Sequence, residues 1–232
     1  MIAVSISRIA ETEGAAGSDV FPVEKGLITV PPLHAEEVTK GMFFRHISDE
    51  VKLSLSIPQY ADELFGLTDG NRDFLKQWLP WLDSVTKPSD TRNFLETQLL
   101  RFQRGEALHV TIFYLDKIAG VLGYNRIDQV NGIGYPGYWL AREYNGKGIM
   151  RESVKDLIEL GFRYYSLNRI EIRCAVENHK SRAIPSHLGF QQEGIIRGAE
   201  KVYDRYLDHV VYGLLRQESR CEAVDGADRE RR

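Results

Sequence analysis

Cysteine is almost missing from this chain. Cys174 and Cys221 are its only two, too few for the disulfide framework of a secreted mini-domain and in keeping with a reducing, cytoplasmic compartment. No apolar run approaches the ~20 residues of a bilayer-spanning helix. The first residues lack a basic stretch followed by an apolar one, so no secretory signal is expected. A dominant charge sign is lacking too. The 30 Lys and Arg nearly balance the 33 Asp and Glu, leaving a net charge of −3. That field gathers neither nucleic acid nor an anionic membrane. The histidines have no cysteine or carboxylate partners at ligand spacing, so no metal is expected, and no Ser–His–acid series stands out. What remains is the composition of an ordinary globular protein, with enough length (232 residues) to bury one sizeable core.

Residues 1–45 shift composition repeatedly, through a Glu-Thr-Glu-Gly-Ala-Ala-Gly run at 11–17 and Pro31-Pro32. They read as a poorly structured extension. Residues 219–232 are charged and read as a flexible tail. Between them, 46–218 alternate strand and helix patterns. Val51 to Ile57 alternates as a half-buried strand. Pro58 suits a helix start, and Tyr60 to Phe65 follows with helical spacing. Asn71 to Trp81 carries an apolar helical stripe, and a third helix follows Ser89 or Asp90 as N-cap. Ala107–Leu115 and Ile118–Ile127 form a hairpin across Asp116-Lys117. Gly134–Leu140 is a third strand, feeding a helix that runs to Tyr165. A strand (Arg169–Val176), a short helix (Ser181–Leu188) and two strands near Gly189–Ile196 and Tyr206–Leu214 complete the order. A meander leading into a strand–helix–strand unit predicts an α+β (mixed α/β) fold, a mainly antiparallel sheet with helices on both faces.

The chain is organised around the segment from Tyr138 to Met150, a strand that runs through Gly146 and Gly148 into the long helix. A glycine turn opening a helix aims backbone N–H groups and the helix dipole at one anion, and Lys147 adds a full charge. An ordinary tight turn is the competing reading. Two common phosphate motifs do not fit: Gly148 is followed by Ile149-Met150 where a P-loop needs Lys and Ser or Thr. Arg151 stands where the dinucleotide fingerprint needs its third glycine.

That element order and the turn Glu143-Tyr144-Asn145-Gly146-Lys147-Gly148 resemble the GCN5-related N-acetyltransferase (GNAT) fold, whose turn reads Gln/Arg-x-x-Gly-x-Gly/Ala. Glu143 departs from the first position. Asn178-x-x-Ser181 followed by Gly189-Phe190, Gly137 to Leu140 before the turn and Gly148-Ile149-Met150 after it are similar to the ribosomal-protein N-acetyltransferase (RimJ/RimL-like) branch, over about Val51 to Arg216. The resemblance implies acetyl-coenzyme A as cosubstrate and no metal. The coenzyme would be held by Leu140, Asn145, Gly146, Lys147, Gly148, Ile149, Met150 and Asn178. It implies Ser181 as the acid that protonates the leaving thiolate, Glu200 as a water-mediated base, and Cys174 beside the thioester. Trp78 and Trp81 would border the acceptor pocket, and a homodimer paired by sheet edges is compatible.

Each role has a plainer competitor. Ser181 suits a helix cap and Asn178 a turn. Cys174 suits a small buried apolar residue, Glu200 an exposed hairpin position, and the tryptophans the core of an amphipathic helix. His109, His179 and His187 are candidates by residue type alone and are given no catalytic part. The expected function is acetyl transfer to an amine by direct attack in a ternary complex. The acceptor of choice is a protein N-terminus, with ribosomal proteins as candidate partners and without nucleic acid or membrane. A small amine (an antibiotic or aminoacyl nucleotide) and a non-catalytic coenzyme-binding module remain as alternatives.

Overall fold

The computed structural model describes residues 2–3 and 44–219. The expectations for 1–45 and 219–232 fall almost wholly outside them, as does Cys221. Within the described residues, nine strands form one sheet: β1 (Ile2–Ala3), β2 (Phe44–His46), β3 (Val51–Leu55), β4 (Leu108–Tyr114), β5 (Lys117–Asp128), β6 (Ile133–Leu140), β7 (Arg169–Ala175), β8 (Gln191–Val202) and β9 (Arg205–Leu215). Their order is β2-β3-β4-β5-β6-β7-β9-β8, with β1 on β6. Five helices accompany them there: α1 (Ala61–Gly70), α2 (Arg72–Leu75), α3 (Pro88–Gln103), α4 (Ile149–Arg163) and α5 (His179–His187). The predicted mixed, mainly antiparallel class is the observed one.

Helix α4 packs on one face because its apolar residues recur at helical spacing. Met150, Val154, Leu157, Ile158 and Phe162 all enter the main core, each contributing about 1.5–3 kcal/mol by leaving water. Its seat is set by Tyr124, a fully buried strand residue whose hydroxyl donates to Leu157 O at 2.9 Å. The helix passes so close to that hydroxyl at Gly161 that any Cβ there would overlap it. On the opposite face, α1 and α3 cover a second core with Leu64, Leu75, Leu95, Val121 and Trp139.

The feature that makes a site is a divergence. β6 and β7 are parallel and pair only at Ile133↔Arg169 and Gly134↔Ile170. Beyond that point β6 stays with β5 as far as Leu140↔Gly120, while β7 stays with β9 as far as Ala175↔His209. Pro136, just past the parting, has no N–H to offer a ladder. The freed edge of β6 is met by β1, through Ile2↔Trp139 and Ala3↔Tyr138.

Several local expectations are corrected. The stripe at Asn71–Trp81 is helical only over Arg72–Leu75, so Trp78 and Trp81 sit on irregular backbone. Asp90 is not the N-cap of α3. The helix starts at Pro88, and the Asp90 carboxylate reaches back to accept from Thr86 N at 2.9 Å and Lys87 N at 3.1 Å. The β4–β5 turn is Leu115-Asp116, both left-handed (φ 49° and 63°), one residue earlier than the Asp116-Lys117 composition suggested. Two consecutive positive φ values match the right-handed strand twist, and here that geometry overrides a leucine's preference.

Candidate functional site

The turn before α4 has the geometry of an anion cradle. Gly146 and Gly148 both take positive φ, 82° and 79°, which L side chains adopt at a cost of roughly 1–2 kcal/mol. Gly148 is the N-cap, and no side chain caps the helix. The first-turn N–H groups, which have no intrahelical partner, therefore face a groove of about 160 Å³. Leu140, Gly146, Gly148, Ile149, Met150, Arg151, Lys180 and Ile184 contribute to its lining. Sequence reasoning missed Arg151 and Lys180, cations from two helices that converge there. Their signal was only that each begins a helix flanking the turn. Lys147 instead lies over the Tyr114 ring, 4.7 Å from its centroid. Asn145 closes the turn from within, donating from Nδ2 to Ala141 O at 2.8 Å and Arg142 O at 3.1 Å.

Helix α5 carries Ser181 to the inner wall. Asn178 is the N-cap: its Oδ1 accepts from Ser181 N at 3.2 Å. The alternative in which Ser181 caps this helix therefore falls away, and its hydroxyl is left for other use. Pro185 lies seventh of the nine residues of this helix. Lacking an N–H, it leaves the carbonyl of Ser181 without its usual i+4 donor, and the buried Tyr138 hydroxyl donates there instead, at 3.3 Å. A proline thereby fastens Ser181 to β6. Arg182 ties the same turn to β7 and β9, donating to Val176 O at 2.7 Å and to the Tyr212 hydroxyl at 3.1 Å.

Cys174 and Ser181 are both fully buried, and the thiol donates to Ser181 Oγ at 3.5 Å. Burial pushes the Cys174 thiol up to about 12, so at neutral pH it stays a protonated donor and is no nucleophile. Cys174, Ser181 and the Tyr138 hydroxyl thus form one buried hydrogen-bonded cluster. β1 lies beside this wall, in contact with β7 and α5 as well as β6.

The other face of the sheet holds the remaining candidates, in two places. Trp81 helps line a cavity of about 240 Å³ with Leu64, Thr91, Phe94, His109 and Trp139, and its Nε1 is buried without a partner. His109 is buried there. Its Nδ1 is 2.8 Å from Ser56 Oγ, its ring meets Phe94 edge-on at 5.1 Å, and burial lowers its pKa to about 4. Trp78 packs farther along, against Ala175, Val202, Leu207 and Tyr203.

Glu200 belongs to that second place and is not an exposed hairpin residue. Its side chain is 9% exposed, with Oε2 3.3 Å from His209 Nε2 and a buried Oε1 that has no partner. Sequence reasoning passed over His209 altogether. The available signal was strand alternation, which puts Leu207 and His209 on one face. Ser181, Cys174 and Asn178 are thus one cluster beside the glycine groove. Glu200, Trp78 and Trp81 lie on the opposite face of the sheet. Among the described residues no group of three or more His, Cys, Asp or Glu could hold a metal ion, and no helix is long and apolar enough to cross a membrane.

Comparison with known proteins agrees with this architecture. Residues 52–191 match the acetyltransferase (GNAT) domain. The ribosomal-protein-serine acetyltransferase of Escherichia coli K12 is 31% identical over 169 residues, 73% of this chain and 94% of its own. The microcin C7 self-immunity acetyltransferase MccE, solved with acetyl-CoA and AMP, is 32% identical with a TM-score of 0.69 over 73% of this chain and 94% of that one. The RimL L7/L12 alpha-N-protein acetyltransferase, solved with coenzyme A, is 31% identical with a TM-score of 0.73 over 76% and 99%.

Proposed function

This chain belongs to the GNAT acetyltransferase family, and from that premise we propose that it moves acetyl from acetyl-coenzyme A to the α-amino group of a protein N-terminus. It is a GNAT-family N-acetyltransferase; the choice of acceptor is the further step. The observation that carries the coenzyme reading is the uncapped N-terminus of α4, opening through two left-handed glycines into a groove that ends at Leu140 and Ile184. The first-turn N–H groups of α4 hold the pyrophosphate, with Arg151 and Lys180 neutralising it. The edge of β6 freed by β7 receives the pantetheine arm, so β1 gives up its pairing with Trp139 and Tyr138 when the arm binds. The coenzyme supplies an activated thioester. Backbone N–H groups near Leu140 polarise its carbonyl, and Ser181 donates its hydroxyl proton to the departing sulfur.

Two features support an α-amine over a lysine. An α-amino group has a pKa near ~7.8 and a lysine amine ~10.4, so freeing the former at pH 7 costs about 3.5 kcal/mol less. Glu200 is also nearly buried with an unpartnered oxygen, placed to take the single proton that task requires. Relatives named for ribosomal-protein acetylation favour such acceptors. The apolar-lined Trp81–Phe94–His109 cavity favours a second reading, a small amine bearing a flat or apolar group, as the AMP-bound relative suggests. Release of coenzyme A thiol from acetyl-coenzyme A separates the two. A panel of peptides with free N-termini, N-terminally blocked lysine peptides and aminoacyl adenylate analogues is assayed side by side. Turnover confined to free N-termini supports the first reading, and turnover confined to the analogues overturns it.

A further inference from the structure

We propose that His209 is a positioning residue for the acceptor-side base, holding Glu200 by Nε2–H so that the carboxylate presents its second oxygen to the incoming amine. The inference deepens the proposed function and rests on Glu200 being that base.

The pair is built by a local irregularity. β8 and β9 pair in register at Ile196↔His209 and again at Glu200↔Leu207. Three residues of β8, Arg197 to Ala199, therefore face only Asp208. Gly198 takes φ +56° there, and its N–H is held by Asp208 Oδ1 at 2.7 Å. The bulge takes up two extra residues of β8, so the strand parity is kept and Glu200 stands opposite the inward-facing Leu207. Leu207 and His209, two apart on β9, share its face, which makes Glu200 and His209 diagonal cross-strand neighbours.

The environment is dry and lies at the far end of β7, five residues past its last pairing with β6. His209 is directly opposite Ala175, the last residue of β7, and Ala175, Val202 and Leu207 are buried together with Trp78 and Tyr203 packed on them. The Tyr203 hydroxyl donates to Leu79 O at 3.1 Å, and Arg205 stacks over Trp78, 5.8 Å from the ring centroid. Both contacts dock the β8–β9 turn onto the tryptophan segment. A glutamate tucked beneath that lid with one oxygen 3.3 Å from an imidazole nitrogen and the other bare is costly as pure structure, since buried carboxylate oxygens normally find donors. A guest that brings an N–H to the bare oxygen removes the cost. Contacts of this kind are often long in the ligand-free state and tighten when substrate binds.

In the transfer step, the acceptor ammonium gives one proton to Glu200 Oε1, directly or through one water, while His209 keeps its Nε2 proton on Oε2. The freed nitrogen lone pair forms the N–C bond to the acetyl carbon and the C–S bond breaks. Sulfur takes the Ser181 proton, Ser181 regains one from the acylated nitrogen by way of solvent, and Glu200 releases its proton to solvent, the net proton of the reaction.

The first test needs no acceptor. Histidine side-chain ¹⁵N–¹H spectra of the full-length protein at pH 7.5 should show His209 protonated at Nε2, with that signal moved in Glu200→Gln. A His209 protonated at Nδ1 alone overturns the proposal. The second uses thiol release with a free N-terminal serine peptide. His209→Leu should lower kcat ten- to a hundredfold, with the dissociation constant for acetyl-coenzyme A unchanged. His209→Gln, which keeps an N–H near the Nε2 position, should recover most of the loss. Adding His209→Leu to Glu200→Gln should cost little more. His209→Gln as slow as His209→Leu at equal thermal stability refutes the positioning role. Full activity of Glu200→Gln instead refutes the base on which it stands.

Discussion

Replacing Gly148 by alanine separates what the glycine does for the fold from what it does for the coenzyme. At φ +79°, with no atom within 4 Å of the place a Cβ would take, alanine meets no steric neighbour. Its cost is backbone conformation alone, about 1 kcal/mol. For a chain of this size that lowers Tm by roughly 2–4 °C. The methyl group would, however, stand in the groove where the helix N–H groups are aimed. Losing one or two hydrogen bonds to a charged phosphate costs about 2 kcal/mol, or roughly thirtyfold in affinity. A ligand at a hundred times its Kd adds ~2.7 kcal/mol to the wild type, a rise of about 5–10 °C. At the same concentration the variant would gain only about 0.9 kcal/mol, some 2–3 °C. Differential scanning fluorimetry with and without acetyl-coenzyme A reads both effects. A Gly148→Ala protein that keeps the full ligand-induced rise would show that the phosphate does not sit at this helix. A wild type with no rise at saturation would remove the coenzyme reading itself.

Four further outcomes are expected. Ser181→Ala should lower kcat by about 10²- to 10⁴-fold while acetyl-coenzyme A affinity, measured by calorimetry, stays within twofold; unchanged turnover removes its role as acid. In a Cys221→Ser background, Cys174 should resist a disulfide reagent at pH 8 and react only on unfolding, because burial holds its thiol near 12; labelling within minutes in the native protein contradicts this. His109 is neutral in the folded chain down to about pH 4 but titrates near 6.5 when unfolded. The stability it supports is full above pH 6.5 and is lost as pH falls toward 4, and between pH 7.5 and 5 urea unfolding should lose about 2 kcal/mol more in wild type than in His109→Gln. Equal losses refute the depressed value. Ala3→Pro, which weakens the pairing of β1 with Tyr138, should tighten acetyl-coenzyme A binding severalfold; weaker binding would mean that β1 belongs to the coenzyme site.

How much of this was legible in the amino-acid order depends on whether the cause was local. The glycine turn and its helix were readable because positive φ and 3.6-residue periodicity act on adjacent residues, and Gly146, Gly148 and the Val154–Leu157–Ile158 stripe carry both signals. Trp78 and Trp81 carried helical spacing too, yet the backbone there leaves the helix after Leu75. The tie of Tyr203 to Leu79 and the stacking of Arg205 on Trp78 hold that segment to a turn more than a hundred residues away, and no window of sequence contains it.

The two halves of the site differ in the same way. Asn178 and Ser181 are one helical turn apart, so a motif could name both, although only three dimensions show that Asn178 takes the capping role and that Pro185 leaves the Ser181 carbonyl to Tyr138. Glu200 and His209 are joined across a hairpin whose register slips between Ile196 and Glu200. Strict alternation through β8 cannot predict which side of the bulge faces inward, so the glutamate reads as exposed and the histidine as one more strand residue. The one-residue bulge at Glu193, where Gln192 pairs with Tyr212 and Gly194 with Val211, changes the parity of everything beyond it. The Asn178–Ser181 half was therefore written in a short local motif, whereas the Glu200–His209 half depends on a displacement of β8 against β9 that only the folded sheet defines.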